Sequence, residues 1–224
     1  MNQIVADNPT LTLPPRRKSA RRCFMMFADW RCYTRMLRAF ETSPGHRLAY
    51  DRGRLEIMSP SMARDRGAEF LGLLVYEITK ALHLPVVMGG TVTLKLHKKR
   101  KGIEGDKSYW IANAAQVANV EKLDLRIHPP PDLSIEVDVS RSPLKRFRIY
   151  AALGVPEIWR LEGDELRFYE FDSSKTYREI STSRTFPFLS PSDVLPFIQQ
   201  ARKVLNIHPV IADFVQWLRG QLPK

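Results

Sequence analysis

The clearest pattern in the chain is the alternation of apolar and polar side chains over residues 133–139, which read LSIEVDV. A period of two places alternate residues on opposite faces of an extended chain, so the pattern predicts a β-strand at Leu133–Val139. Its apolar face would pack in a core. Its other face carries Ser134, Glu136 and Asp138, so the strand predicts a polar centre with Glu136 in the middle.

Shorter alternating segments predict a sheet around this strand. Apolar positions on both sides of Asp51-Arg52-Gly53 indicate a β-hairpin near residues 48–57, because such a tripeptide favours a tight turn. Residues 97–104 are predicted to be a loop. Further strands are predicted at Val86–Met88, Thr91–Leu96, 106–111, Glu157–Leu161, Leu166–Phe171 and Tyr177–Ser181.

Helical spacing of apolar residues predicts the remaining elements. The longest predicted helix follows Ser59-Pro60 and covers about residues 64–82, and another begins at Ser142-Pro143 and ends before Gly154. Other helices are predicted at 28–42, 192–203 and 208–219, with a short helical turn at 113–119. Strands and helices in this order predict an α/β fold with a mixed β-sheet flanked by helices, an N-terminal β-hairpin and C-terminal helices.

The composition divides the chain and suggests a partner. The proline-rich and basic residues 1–22 predict a flexible arm, residues 23–205 the main domain, and residues 206–224 a C-terminal helical tail. No apolar run approaches the roughly 18–20 residues that cross a bilayer, so we expect a cytoplasmic protein without a membrane partner. The net charge of +11 favours nucleic acid as a partner. The candidate phosphate contacts are Arg16, Arg17, Lys18, Lys98, Lys99, Arg100 and Lys101.

Two acidic residues on neighbouring predicted strands are the best candidates for chemistry. Asp106 begins DKSYWI, and Glu136 lies in the middle of its strand. A carboxylate buried without a partner is costly, whereas carboxylate oxygens are suitable ligands for Mg²⁺ or Mn²⁺. Cys23 and Cys32 and the five scattered histidines have no zinc-site spacing. We therefore expect a hard-cation site at Asp106 and Glu136.

Three segments resemble a known family. They are GIEGDKSYWIANAAQV, PPPDLSIEVDVSRSPLKRFRIYAALGVPEIWR and YDRGRLEIMSP, and they are similar to the Uma-two family, described as putative restriction endonucleases of the PD-(D/E)XK nuclease superfamily. The resemblance runs from about residue 30 to 200. It implies a restriction-endonuclease-like core, a metal held where two central strands diverge, and a metal-dependent endonuclease acting on DNA with Mg²⁺ or Mn²⁺.

The resemblance also assigns roles to single residues. Asp106 and Glu136 correspond to the two metal-binding acids, although Gly105 replaces the usual proline. Asp138 stands where the superfamily has its catalytic lysine, so a basic residue of the next helix, Lys145 or Arg146, or else Lys107, would act instead. Arg64-Asp65 occupies the place of a His-Glu pair at the start of the first core helix, and Asp65 could stand for the acid.

Several of these residues have a simpler structural interpretation. Asp138 could join the catalytic site or neutralise a nearby arginine, Asp132 could be a second acid near the site or cap a turn, and Glu104 could be either an acid near the site or an ordinary loop residue. The departures from the family pattern leave a catalytically weak or inactive nucleic-acid-binding module as the alternative to a nuclease. A third hypothesis is a basic interaction protein with no nucleic-acid role. A homodimer would suit double-strand cutting, although no residue pattern predicts one.

Overall fold

The computed structural model describes residues 23–41, 45–59, 61–138 and 145–222. Within these ranges the chain forms six α-helices and eleven strands. The predicted arm with Arg16, Arg17 and Lys18, and the predicted helix start at Ser142-Pro143, lie outside the described residues. In chain order the elements are β1 (Cys23–Phe27), α1 (Trp30–Phe40), β2 (Arg47–Asp51), β3 (Arg54–Met58), α2 (Met62–Ala81), β4 (Val87–Met88), β5 (Thr93–Leu96), β6 (Lys101–Glu104), β7 (Lys107–Trp110), α3 (Ala114–Val117), β8 (Leu133–Asp138), α4 (Arg146–Leu153), β9 (Glu157–Glu162), β10 (Glu165–Phe171), β11 (Tyr177–Ile180), α5 (Pro191–Ala201) and α6 (His208–Gln221).

The strands form two sheets. The larger sheet has the order β11-β10-β9-β8-β7-β4 and is mixed, because β8 pairs in parallel with β9 and antiparallel with β7. The other sheet is antiparallel, with the order β1-β3-β2-β6-β5, and contains the hairpin β2–β3. The predicted α/β class, mixed sheet, hairpin and C-terminal helices are confirmed.

Two strands and the second sheet were not predicted. Residues 97–104, predicted to be a loop, form a 3-10 turn at His97–Lys99 followed by β6. Only Ile103 of β6 is a strongly strand-forming residue, and Gly102 weakens the local signal. The edge strand β1 is CFMMF, an apolar run without alternation, so its pairing with β3 could not be read from a period of two.

The two sheets are layered with helices between and outside them. On one face of the antiparallel sheet, Leu48 and Tyr50 pack with Tyr33 and Leu37 of α1. On its other face, Ala49 and Ile103 pack with Ile149 and Tyr150 of α4, which also contact the mixed sheet. The far face of the mixed sheet is covered by α2, α5 and α6. Within the described ranges, no helix is long and apolar enough to cross a membrane.

Candidate active site between the two sheets

Asp106 lies where the chain passes from one sheet to the other. The strand β6 ends at Glu104 in the antiparallel sheet, and β7 begins at Lys107 in the mixed sheet. The Asp106 amide donates to the carbonyl of Ile135 at 3.2 Å. Its carboxylate accepts the Val137 amide at 2.7 Å through Oδ2. The side chain of Asp106 is therefore fixed on the backbone that flanks Glu136.

Glu136 projects from β8 toward α4 and is 1% exposed. The Tyr150 hydroxyl of α4 donates to its Oε1, and the guanidinium Nε of Arg146 lies 3.4 Å from its Oε2. The predicted helix thus turns Arg146, and not the exposed Lys145, toward Glu136. Two consecutive turns of α4 supply these contacts, since Arg146 and Tyr150 are four residues apart on one helical face.

A third side chain, Arg64, joins the two carboxylates. Its Nε lies 2.7 Å and 2.9 Å from the two oxygens of Asp106, and its Nη2 lies 3.3 Å from Oε2 of Glu136. Arg64 lies in the first turn of α2, is 2% exposed, and also contacts the sulfur of Met58. Two acids that are 30 residues apart in the sequence therefore share one buried guanidinium.

Arg47 at the start of β2 forms the more exposed edge of the group. Its Nη1 donates to Oδ1 of Asp106 and to the carbonyl of Gly105, and its Nη2 lies 3.2 Å from Oδ1 of Asp65. The side chain of Asp65 is 42% exposed, so it connects the buried ions to the surface. We refer to Arg47, Arg64, Asp106, Glu136 and Arg146 as the arginine–carboxylate cluster.

Burial dominates the electrostatics of the cluster. Burial raises the pKa of Glu136 to about 7, an effect that Arg146 opposes and Asp106 reinforces. Burial lowers the pKa of Arg64, but the charges of Asp106 and Glu136 outweigh it, so the net shift is upward. The pKa of Tyr150 is also raised by burial and by Glu136, so its hydroxyl remains a donor. The guanidiniums can neutralise carboxylate or phosphate charge, and Glu136 can exchange a proton near neutral pH.

As they are arranged, the two carboxylates do not fit a divalent cation. Each of their four oxygens already accepts from, or pairs with, a donor of this chain: Arg47, Arg64, Arg146, Tyr150 or the Val137 amide. Among the described residues, no group of three or more aspartate, glutamate, histidine or cysteine side chains is placed to hold a metal ion. An ion could enter only after a guanidinium moved away.

The other predicted acids lie around the cluster rather than in it. Asp138 pairs with Arg160 at 2.7 Å. Asp132 accepts the amides of Ile111 and Asn113 and so fixes the turn after β7. Glu104 joins β2 to β5 by accepting the Leu48 amide and the Thr93 hydroxyl, while its own carbonyl lies 3.4 Å from Nη2 of Arg146. Lys107 pairs with Glu69 at 2.5 Å, at the rim near α2.

The predicted phosphate contacts of residues 98–101 are divided between surface and core. Lys98, Lys99 and Arg100 are exposed. Lys101 is 7% exposed, and its ammonium lies 2.5 Å from Oδ1 of Asp51. An open cavity of about 600 Å³ lies at the hairpin turn, lined partly by Phe27, Arg52 and Arg100, and includes no residue of the arginine–carboxylate cluster.

A second set of exposed cations was missed by the sequence analysis. Arg31, Arg35 and Arg38 are exposed on α1 at spacings of four and three residues, which places them on one side of the helix. No carboxylate of the described residues pairs with them. The first residue of α1, Trp30, packs on His97 with ring centroids 5.3 Å apart, so Lys98 and Lys99 lie near this helix. We refer to Arg31, Arg35, Arg38, Lys98 and Lys99 as the basic surface.

The sequence also contained a signal for Arg64 that was not used. Arg64 shares one side of α2 with Ala68, Leu71 and Val75, at spacings of four, three and four residues. A cation on the apolar face of a helix must be buried and therefore needs a carboxylate partner. Arg47 gave a weaker signal, since a charged first residue of a strand is common.

Known proteins are similar to the part of the chain that contains the arginine–carboxylate cluster. A model of the Uma2 family, described as a putative restriction endonuclease, matches residues 30–207. Among solved structures, the chain is similar to a putative nuclease belonging to DUF820 from Anabaena variabilis ATCC 29413, with 15% sequence identity and a TM-score of 0.48. That likeness covers 67% of this chain and 90% of the other. No curated protein matches the chain. The range matched by the family model includes every residue of the arginine–carboxylate cluster.

Proposed function

Because the chain belongs to the Uma2 family of putative restriction endonucleases, we propose that it is an endonuclease that hydrolyses phosphodiester bonds of DNA at the arginine–carboxylate cluster. The observation that carries the proposal is the convergence of Asp106 and Glu136 on one buried guanidinium between the two sheets. In this proposal the phosphodiester reaches the exposed edge at Arg47 and Asp65 and reacts beside Asp106, which lies just before β7, and Glu136 of β8.

Nucleic acid as the substrate is supported by charge. The chain carries a net charge of +11, and the basic surface presents five cations that no described carboxylate neutralises. Contacts of this kind bind the phosphate backbone without reading base sequence. The choice of DNA over RNA, and a homodimer that would cut both strands, belong to the same proposal.

The proposal includes the dependence on Mg²⁺ or Mn²⁺ that the family resemblance implies. The carboxylate oxygens of Asp106 and Glu136 are already occupied by donors of this chain. A guanidinium must therefore move away before both carboxylates can bind a metal ion. Cleavage assays in EDTA, Mg²⁺ and Mn²⁺ test this dependence directly.

The experiment is a nicking assay on supercoiled plasmid, in which one cut per molecule is detected. We expect wild-type protein to nick the plasmid and Glu136→Gln to lose activity by roughly 10²–10⁴-fold, the range for a group that acts at the reacting centre. The control is Arg126→Gln, which removes an exposed arginine that pairs with Asp124 on the surface. Equal nicking by wild type and Glu136→Gln would refute the assignment of the centre.

A second candidate function is favoured by the filled carboxylate oxygens. If the guanidiniums hold the pair closed, the chain would be a DNA-binding module with weak or absent cleavage. A gel-shift assay distinguishes the two, because this alternative predicts retarded DNA that stays uncut with Mg²⁺ or Mn²⁺ present. Absence of both retardation and cleavage would exclude both functions.

A further inference from the structure

We propose that Arg64 is a built-in cation that competes with divalent metal ions for Asp106 and Glu136. The inference rests on the proposed function, because it concerns the regulation of the same site. It predicts that the chain binds Mg²⁺ or Mn²⁺ weakly while Arg64 is present, and that replacing Arg64 creates a tighter site.

The first argument is the position of the guanidinium. Arg64 contacts both oxygens of Asp106 through Nε and one oxygen of Glu136 through Nη2. It therefore lies between the two carboxylates, in the place that a shared ion would need. The Arg64 side chain is 2% exposed, so the guanidinium is packed in the protein interior between the two acids.

The second argument is the geometry that an ion requires. Mg²⁺ needs oxygen ligands at about 2.0–2.1 Å in near-octahedral directions. Both oxygens of Asp106 point at Nε of Arg64, and Oε1 of Glu136 accepts the Tyr150 hydroxyl. The one remaining oxygen, Oε2 of Glu136, faces both Arg64 and Arg146. Removal of Arg64 would take one cation from both acids at once. Arg47 and the Val137 amide would still contact Asp106, and Arg146 and Tyr150 would still contact Glu136.

The third argument is charge. The guanidiniums of Arg47, Arg64 and Arg146 contact four carboxylates, which are those of Glu56, Asp65, Asp106 and Glu136. A divalent ion added to this nearly balanced set would lie beside three guanidiniums, of which those of Arg64 and Arg146 are buried. Without Arg64 the set carries two excess negative charges when all four acids are ionised, which is the charge that one Mg²⁺ or Mn²⁺ neutralises.

The fourth argument is where Arg64 lies on its helix. It is in the first turn of α2, next to the amide groups that give a helix N-terminus partial positive charge. A cation is unfavourable at this end, and burial adds a desolvation cost. The helix therefore does not hold the guanidinium in place, and its two carboxylate partners do.

The test is Mn²⁺ binding to the full chain by isothermal titration and by thermal melting. We expect Arg64→Gln to bind Mn²⁺ at least tenfold more tightly than wild type. At a Mn²⁺ concentration about a hundredfold above its Kd, the melting midpoint of Arg64→Gln should rise by roughly 5–10 °C. The double variant Arg64→Gln/Glu136→Gln should lose the gain, and the surface control Arg126→Gln should behave as wild type.

The proposal is overturned if Arg64→Gln binds Mn²⁺ no more tightly than wild type, or if its gain survives the loss of Glu136. If Arg64→Gln does not fold, the same binding measurement is made on Arg64→Lys. A lysine ammonium cannot bridge the two acids as the planar guanidinium does, so this variant should also bind Mn²⁺ more tightly than wild type. Plasmid nicking by wild type without this gain would overturn the competition and leave the proposed function intact. If Arg64→Gln gains affinity for Mn²⁺ but no variant nicks the plasmid, the competition is supported and the proposed function is refuted.

Discussion

At the residue scale, the buried charges of the described ranges lie beside specific partners. Lys101 was predicted from sequence to be one of four consecutive exposed cations, but its ammonium lies on Asp51 with both side chains mostly buried. The sequence could not separate it from its neighbours, because four consecutive basic residues carry no periodicity. Lys101 is the first residue of a strand whose pairing with β2 brings it opposite Asp51.

This ion pair makes stability depend on acid pH. Burial alone would raise the pKa of Asp51, but the hydrogen bonds and charges of Lys101 and, to a smaller extent, Arg52 outweigh burial and lower it. A lowered folded-state pKa means that the stabilisation is present at neutral pH and is lost as the pH falls below the ordinary aspartate range. Asp51→Asn should therefore reduce the free energy of unfolding by about 1–3 kcal/mol at pH 7, and by less at pH 3.

Urea unfolding of wild type and Asp51→Asn across this pH range measures the effect. The matched control is Asp164→Asn, whose aspartate is 73% exposed and pairs with Arg202 on the surface. Exposed pairs contribute about 0–1 kcal/mol, so the control should differ little from wild type. A difference between wild type and Asp51→Asn that stays constant with pH would show that the ion pair is not its source.

At the element scale, most helices and strands could be predicted because each has a period that the sequence records. The alternation of LSIEVDV predicted β8, and it also placed Glu136 on the face opposite Ile135 and Val137. The partition of the strands into two sheets could not be predicted, since it depends on the short crossing at Gly105-Asp106. The same crossing places Asp106 beside Glu136, so the site depends on a feature that has no sequence period.

The strand β6 shows what the local signal lacked. A Cβ atom added to Gly102 would lie 2.7 Å from Cζ of Tyr33 in α1. The Tyr33 ring therefore requires glycine at position 102. Glycine is a weak strand former, so Gly102 weakens the local strand signal of this segment. Gly102 thus permits the packing of α1 on the sheet and also weakens the sequence signal for β6.

Gly102→Ala should consequently destabilise the protein by about 1–3 kcal/mol, the usual cost of overpacking a core. For a chain of this size that corresponds to a decrease in Tm of roughly 2–12 °C. Gly220→Ala is the matched control, because a Cβ atom at Gly220 in α6 meets nothing within 4 Å. The control should be neutral or slightly stabilising. Equal melting of the two variants would mean that Tyr33 does not restrict position 102.

At the scale of the whole molecule, charge is divided between an interior and a surface. The arginine–carboxylate cluster lies on the α4 face of the antiparallel sheet, and α1 covers the opposite face of that sheet. The basic surface therefore does not touch the centre that we assign to chemistry. Affinity for DNA and hydrolysis of DNA should be separable by mutation, because they use different faces of one sheet.

The triple variant Arg31→Gln/Arg35→Gln/Arg38→Gln tests this separation. Each phosphate contact contributes about −0.9 to the slope of log K against log salt concentration, so loss of three contacts should reduce that slope by up to about 2.7. The control replaces Arg126, Arg167 and Arg178 by glutamine, which removes the same charge from arginines that already pair with surface acids. DNA affinity measured over a salt series should fall, with a shallower slope, in the first variant much more than in the control. Equal changes in the two would mean that only net charge attracts DNA and that α1 makes no particular contact.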